Sequence, residues 1–556
     1  MAKTVRPRTS PSRTHIAAMT EAPVPERAAA WRRLKFGLMM HWGLYSVAGG
    51  VWNGKNIEGY NEQIKHRAMI DWPEYTTLCD GFTAKQWKPD VVAKLAKEAG
   101  MQYVVMTTKH HDGFCLWHTK LSDFNAVESA PARKDVLKSL SDACAKNKIA
   151  MGVYYSLIDW HFPGAMPMSD HNCDPVTPAL DAYHLGQLRE LVTGYGPLCE
   201  IWFDMGAPTL EQSQSYARVV HAHQPDCMVS GRIWNGQDDY MECGDNETPD
   251  MYFEDPWESA ETIFHDTWGY RSWQVRDNLE GKIREKIRSL ALVTAKGGNY
   301  LLNIGPRGDG SLVEYDMEVL RGIGRWMKKN GEAIYQGEPE PHLKLSFGCA
   351  TGRKGRLYLH VANPPADGVL RVDGWLAKKP VARVLGAGRK GTLACTVKSG
   401  TLSIALPTEA LDPYHTIVAV DYAGDRPYLP HGTVTLDEES TVLAPEGALF
   451  WMRMQGAHYN VQRKYVVGRE WMVCSPRGGA HGLRLQRPTG GSATGYRVTV
   501  GADIFQCLMP EGATACEPVN ITLKARTPTR IKVQALAPRG ELMDKELLVT
   551  IDRRIG

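Results

Sequence analysis

No apolar run in this chain approaches the ~20 residues that a bilayer-spanning helix needs. One sign of charge does not dominate either: 65 Lys and Arg stand against 62 Asp and Glu. That balance leaves little net charge, so nothing in it points to nucleic acid or to an anionic membrane. The twelve cysteines include no CxxC pair, and several, such as Cys115 and Cys199, sit in apolar stretches. They read as reduced, buried thiols of a cytoplasmic protein rather than as a disulfide framework or a zinc site. The first 30 residues are basic and rich in Pro, Ser and Thr but lack the apolar h-region of a secretory signal. They read as a flexible lead-in, with Met19 an alternative start that brings no signal of its own. No repeat of fixed period and no low-complexity linker is found.

What is present is 43% apolar and 23% charged residues over 556 positions, enough for two to four soluble domains. From Trp31 to residue 338, short apolar runs alternate with helical patterns: "LKFGLMMHWG", "YVVMTTKHH", "IAMGVYYS", "CEIWFD", "CMVSGR" and "NYLLNIGP" are separated by segments such as "VVAKLAKEAG" and "DVLKSLSDACAKNK". Strand–helix alternation of this length predicts a parallel sheet, closed as a (β/α)₈-type barrel. The competitor is an open doubly-wound sheet, which usually carries GxGxxG after its first strand; "MMHWGLYSVAGG" does not supply it. From residue 339 to 429 the texture turns to alternating apolar and polar residues between Gly-rich turns, which predicts an antiparallel β-sandwich. Residues 430–556 form a further β-rich domain of unassigned role. Its "LFWMRMQGAHYN" and "GREWM" offer aromatic residues for carbohydrate, although aromatics at strand spacing more often fill a core.

The stretch "TTKHHDGFCLW" ends a buried strand in His110, His111 and Asp112 and then turns at Gly113. A loop of hydrogen-bonding side chains is one explanation. A metal site is disfavoured, because successive strand residues point to opposite faces and His110 and His111 would not share an ion. A pocket for a polyhydroxylated ligand is the third. The other strand ends favour it: His41 follows "LMM", Tyr154-Tyr155 end "GVYY", Asp204 ends "EIWFD" and Arg232 follows "MVSG". In a barrel all of these face one mouth. Packing does not call for them, whereas a sugar calls for donors, acceptors, aromatic rings and a carboxylate. Carboxylate chemistry without a metal cluster or phosphate loop suggests glycoside hydrolysis.

The spelling of these ends resembles the α-L-fucosidases of glycoside hydrolase family 29. The matching segments, in family order, are "KFGLMMHWGLYSV", "KHHDGFCLWHT", "GVYYSLIDWHFPG", "EIWFDMG", "GDNETPD", "WESAETIFHDTWGYRSW" and "AKGGNYLLNIGPRGDG", covering residues 31 to about 330. The resemblance implies a retaining exo-enzyme that removes terminal α-linked L-fucose from oligosaccharides or glycoconjugates by double displacement, without metal or cofactor. It makes Asp204 the nucleophile and places His41, Glu62, His110, His111, Tyr154, Trp202 and Arg232 in the fucose subsite. The setting of Asp204, between Trp202, Phe203 and Met205, with Arg232 or histidine donors to keep it ionised, agrees with that role.

Two positions compete for the acid/base. Asp250 stands where many members have the Glu of a "TPE" motif, and Glu258 follows Trp257 in a "WE" motif. Glu247 and Glu254 are further from the pattern and read as solvated loop charges. Retention asks for carboxyl groups ~5–5.5 Å apart. Gln63 occupies the position of the family's Trp beside Glu62, which opens two alternatives: a relative with another glycone such as L-galactose or with transglycosidase activity, and a catalytically impaired fucose-binding protein. The sequence leaves linkage, aglycone and oligomeric state open.

Overall fold

The structure, a computed structural model, describes residues 26–165, 174–249, 251–253, 255–387, 391–424, 427–437, 439–456, 462–536 and 546–553. Most of the lead-in, Asp250 and Glu254 lie outside these residues. Residues 26–30, expected in the lead-in, instead begin a helix, Glu26–Arg32, anchored by buried Ala28 and Trp31. The chain divides into two compact units, one of Glu26–Tyr428 with Met454–Arg463, the other of Leu429–Arg453 with Lys464–Gly556.

The first unit is built on eight parallel strands: β1 (Phe36–Met40), β2 (Tyr103–Lys109), β3 (Ala150–Ser156), β4 (Leu198–Asp204), β5 (Met228–Val229), β6 (Met241–Glu242), β7 (Trp257–Thr262) and β8 (Asn299–Ile304). Neighbours in sequence pair in space, β8 returns to β1, and a single parallel bridge from Ser230 to Tyr240 joins β5 to β6. The sheet therefore curls into the expected barrel. The strands form from short, largely apolar runs that are covered on both faces: every residue of β1, β2 and β8 is buried.

Six long helices follow the strands: α1 (Pro89–Ala99), α2 (Val136–Asn147), α3 (Pro178–Gly194), α4 (Leu210–His223), α5 (Leu279–Ala295) and α6 (Glu314–Tyr335). In α1, Pro89 opens the first turn, Val92, Leu95, Ala96 and Ala99 face inward, and Gly100 at φ +91° ends it. Asp135 caps α2 by accepting from the Lys138 amide. Among the described residues no α-helix lies between β5 and β6 or between β6 and β7, so the alternation is incomplete where the strands shrink to two residues. Neither β6 nor β7 stood out in the sequence. "ME" is too short to show a period, and "WESAET" carries two acids at positions that turn out to be buried.

The same unit continues into a β-sandwich. A six-stranded antiparallel sheet that includes Gly348–Arg353, Arg356–Val361, Val381–Val384 and Thr416–Asp421 accompanies a three-stranded sheet of Val369–Asp373, Cys395–Lys398 and Thr401–Ala405. Their inward residues, among them Leu359, Val372, Trp375, Leu402 and Val418, form one core. In the second unit, Trp471, Val473, Leu483, Val498, Ile531 and Val549 form another. Trp471 of "GREWM" is thus a core residue, and Trp451 donates from Nε1 to Glu470 at 3.0 Å.

Inside the barrel, Gly37 is the space in which the Tyr103 ring lies, since a Cβ there would meet ring carbons at 2.4 to 2.6 Å. Gly37→Ala should therefore destabilise the fold by about 1–3 kcal/mol through overpacking. A lower thermal midpoint is expected, and an unchanged one would show that Tyr103 moves freely.

Candidate active site

The C-terminal ends of the strands open on a cavity of about 350 Å³, lined by Met39, His41, Tyr60, Glu62, Gln63, His110, His111, Tyr154, Trp202, Asp204, Met205, Arg232, Asp245 and Trp268. All seven residues that the resemblance assigns to the sugar subsite line it, as does Asp204.

Asp204, 5% exposed, ends β4. Its Oδ1 accepts from Arg232 Nη1 at 2.7 Å and its Oδ2 from the Tyr154 hydroxyl at 2.5 Å. Burial, with Asp204 beside it, holds the Tyr154 phenol far above its ordinary pKa, so it stays a donor. Arg232 comes from the turn Gly231–Ile233 after β5 and also donates to Asp245 Oδ1 at 2.5 Å. Its guanidinium carbon sits 4.7 Å from the Trp202 ring centroid, and Tyr154 stacks with that ring at 5.6 Å and 17°. Directly after Asp204 the backbone turns through Met205 at φ +56°, a left-handed conformation that a side chain rarely adopts and that turns Met205 into the cavity wall.

The three histidines are neutral. Burial lowers His41 to about 4 and His111 to about 3, the latter aided by Arg232 and Lys109, and lowers His110 well below its ordinary range. The tautomer of His41 follows from its partners. Asn303 donates its amide to the Trp268 carbonyl, so its Oδ1 accepts from His41 Nδ1 at 2.7 Å, and His41 Nε2 is left as an acceptor. His110 lies parallel to Tyr154, with 5.4 Å between centroids, and its Nδ1 is buried without a partner.

His110 and His111 do not point to opposite faces. β2 ends at Lys109, so strand alternation no longer applies, and the chain turns with Gly113 N donating to His110 O at 3.1 Å. Gly113 adopts φ +81°, and a Cβ there would meet Asp159 Oδ1 at 2.2 Å. The two imidazoles lie 4.1 Å apart, and ligand atoms of His110, His111 and Asp204 fall within 4.8 Å of one another. Exclusion of a shared ion on the ground of alternation therefore fails. Asp112 is turned out of the cavity and accepts from Tyr75 and the Phe114 amide. Tyr155, next to Tyr154, faces away from the cavity and bonds His184 and Gln187.

Glu62 faces the cavity with Oε2 accepting from the Trp268 and Gly269 amides at 3.1 and 2.9 Å. Burial raises its carboxyl to about 7. Gln63 lies beside it, its Oε1 3.4 Å from Arg67 Nη2. Glu258 is a correction. It stands at the N-terminal end of β7, fully buried, and does not line the cavity, because its oxygens accept from Tyr103 and Trp202 inside the barrel. Asp245 and Trp268 are cavity residues that the sequence did not assign. Both lie in segments recognised as motifs, "GDNETPD" and "HDTWGY", but on loops where no periodicity marks which side chain turns inward.

Because burial holds His41 and His111 far below 6.5, their imidazoles should keep a single protonated nitrogen from pH 8 down to pH 5. ¹⁵N spectra of the imidazoles should show this, and a midpoint near the ordinary value for either ring would contradict it.

The comparisons agree with this geometry. The family model described as Alpha-L-fucosidase matches residues 6–332. The Branchiostoma floridae protein "Alpha-L-fucosidase" is 30% identical over 398 residues, covering 67% of this chain and 87% of that one. A Bacteroides thetaiotaomicron α-L-fucosidase, solved as a trapped covalent intermediate with 2-fluoro-fucosyl fluoride, superposes at TM-score 0.64 with 25% identity, over 73% of this chain and 98% of that one. The fold of a Vibrio α-L-fucosidase extends over 96% of this chain and 98% of its own, at TM-score 0.67 and 23% identity, so the second β unit also has a counterpart in fold. The chain belongs to the α-L-fucosidase family and is a retaining glycoside hydrolase.

Proposed function

We propose that the cavity holds a terminal α-L-fucosyl unit of an oligosaccharide or glycoconjugate and that Asp204 is the nucleophile that attacks its anomeric carbon. The observation that carries this reading is the seat of Asp204: a carboxylate on the cavity wall, each oxygen accepting one hydrogen bond, one of them from a buried cation. A fixed, partly desolvated carboxylate is the group that double displacement needs. The C–O bond to the aglycone breaks as the bond to Asp204 forms, and the leaving oxygen takes a proton from the acid. Water, deprotonated by the same group, then releases fucose with retention.

The rest of the wall suits a neutral sugar. His41 Nε2 offers an acceptor for a hydroxyl, neutral imidazoles place no positive charge against an oxocarbenium-like transition state, and Trp202 and Tyr154 offer ring faces. We assign the acid/base to Asp250 from its place in "GDNETPD"; the withdrawal of Glu258 from the cavity supports this choice.

Asp204→Ala should lower kcat/KM on an aryl fucoside by roughly four powers of ten or more, with the fold intact by circular dichroism. Added azide should restore cleavage in part and give a fucosyl azide of inverted configuration by NMR. Near-native turnover in Asp204→Ala would end the assignment.

Asp250→Ala should slow substrates with poor leaving groups most and spare the first step on activated ones, which need little protonation. The alkaline limb of the pH profile, which reports loss of the acid's proton, should flatten in that variant. Azide should then give a product of retained configuration. An unchanged leaving-group dependence would move the role elsewhere.

A further inference from the structure

The interior of the barrel below the cavity is not the aliphatic packing usual for this architecture. Three carboxyls lie there, each at most 4% exposed: Glu200 in β4, Glu242 in β6 and Glu258 in β7. Burial drives all three upward, Glu242 to about 7, Glu200 to about 8 and Glu258 well above its ordinary range, with Glu200 and Glu258 also repelling one another. Such groups are costly unless they hold something in place.

Glu258 holds two aromatic groups. Its Oε2 accepts from Trp202 Nε1 at 3.2 Å and its Oε1 from the Tyr103 hydroxyl at 2.5 Å. Trp202 is the ring that Arg232 covers and Tyr154 stacks against, and all three line the cavity. Its indole N–H is the atom that fixes the ring's rotation about its own axis, and Glu258 is the partner that fixes it. Tyr103 in turn is confined by Gly37, so the carboxyl is itself held.

We propose that Glu258 is a positioning residue: through the Trp202 indole N–H it sets the aromatic wall against which the sugar packs, and it takes no part in proton transfer to the aglycone. This inference rests on the pocket being the fucose subsite. It separates the "WE" glutamate from the acid/base role by the side on which it lies, inside the barrel rather than at its mouth.

The experiment compares Glu258→Gln with Glu258→Ala. A glutamine keeps an acceptor for the indole N–H, and its amide can donate to the Tyr103 oxygen. Alanine leaves both donors without a partner, which costs more than the hydrogen bonds were worth. For an aryl fucoside, Glu258→Ala should raise KM about tenfold with kcat changed by less than about threefold, the pattern of lost uniform binding. Glu258→Gln should restore most of the loss, and neither variant should steepen the dependence on leaving group. A proton donor behaves otherwise, with glutamine as inactive as alanine and poor leaving groups hit hardest; either result would overturn the proposal. The indole ¹H–¹⁵N resonance of Trp202, assigned with Trp202→Phe, should shift in Glu258→Ala and return toward its native position in Glu258→Gln. That signal needs no substrate. An absence of fucosidase activity in the native chain would thus sink the functional reading alone, and an unmoved indole signal would sink this one. Should Glu258→Ala not fold, Glu258→Gln decides by kinetics: near-native turnover with an unchanged leaving-group dependence supports the proposal, and inactivity with poor leaving groups hit hardest overturns it.

Discussion

The site is organised by one ion pair, that of Arg232 with Asp204. Both partners are almost fully buried, and a buried charge without a partner costs several kcal/mol. Each therefore confines the other. Arg232 also reaches Asp245, so one guanidinium ties two carboxylates to the turn after β5 and lies over Trp202 while doing so. Register makes the pair. β4 and β5 run parallel with Ile201 opposite Val229, which brings the residues that follow each strand to the same level at the barrel mouth. Loss of Arg232 would leave Asp204 a charge that neither Tyr154 nor the neutral histidines can balance, whereas loss of Asp204 leaves Arg232 paired with Asp245.

Around that pair, burial shifts the titratable groups in two directions. The histidines are held below 6.5, so protonation in the unfolded chain costs the fold stability as pH falls from about 6.5 toward 4 for His41. The carboxyls Glu62, Asp112 and Glu242 are raised to about 7, so their contribution is whole below their ordinary range and is lost as pH rises through 7. The two sets pull in opposite directions, while on the cavity wall Arg232 pairs with both Asp204 and Asp245.

Strand alternation divides the work within single motifs. Tyr154 turns inward to Asp204, whereas Tyr155 turns outward to His184, Gln187 and Lys109. Lys109 pairs with Asp159 behind the turn that presents His110 and His111. Residues adjacent in sequence thus serve the site and its support alternately, and the support is as polar as the site.

The sequence by itself determined the parallel architecture, the sandwich after it, and the strand ends that carry His41, His110, His111, Tyr154, Asp204 and Arg232, because hydrophobic periodicity and chain order are local properties. It could not determine what depends on contacts between distant segments. The direction of His111 hinged on where β2 stops, the seat of Glu258 on the register of β7 beside β8, and the presence of Asp245 and Trp268 on how loops fold over the mouth. Two-residue strands such as β6 have no period of their own, and their neighbours in the sheet define them. Glu62 and Trp268, 206 residues apart, meet where the Glu62 carboxyl accepts from the Trp268 amide, a contact that no local pattern encodes. Only closure of the barrel brings them together.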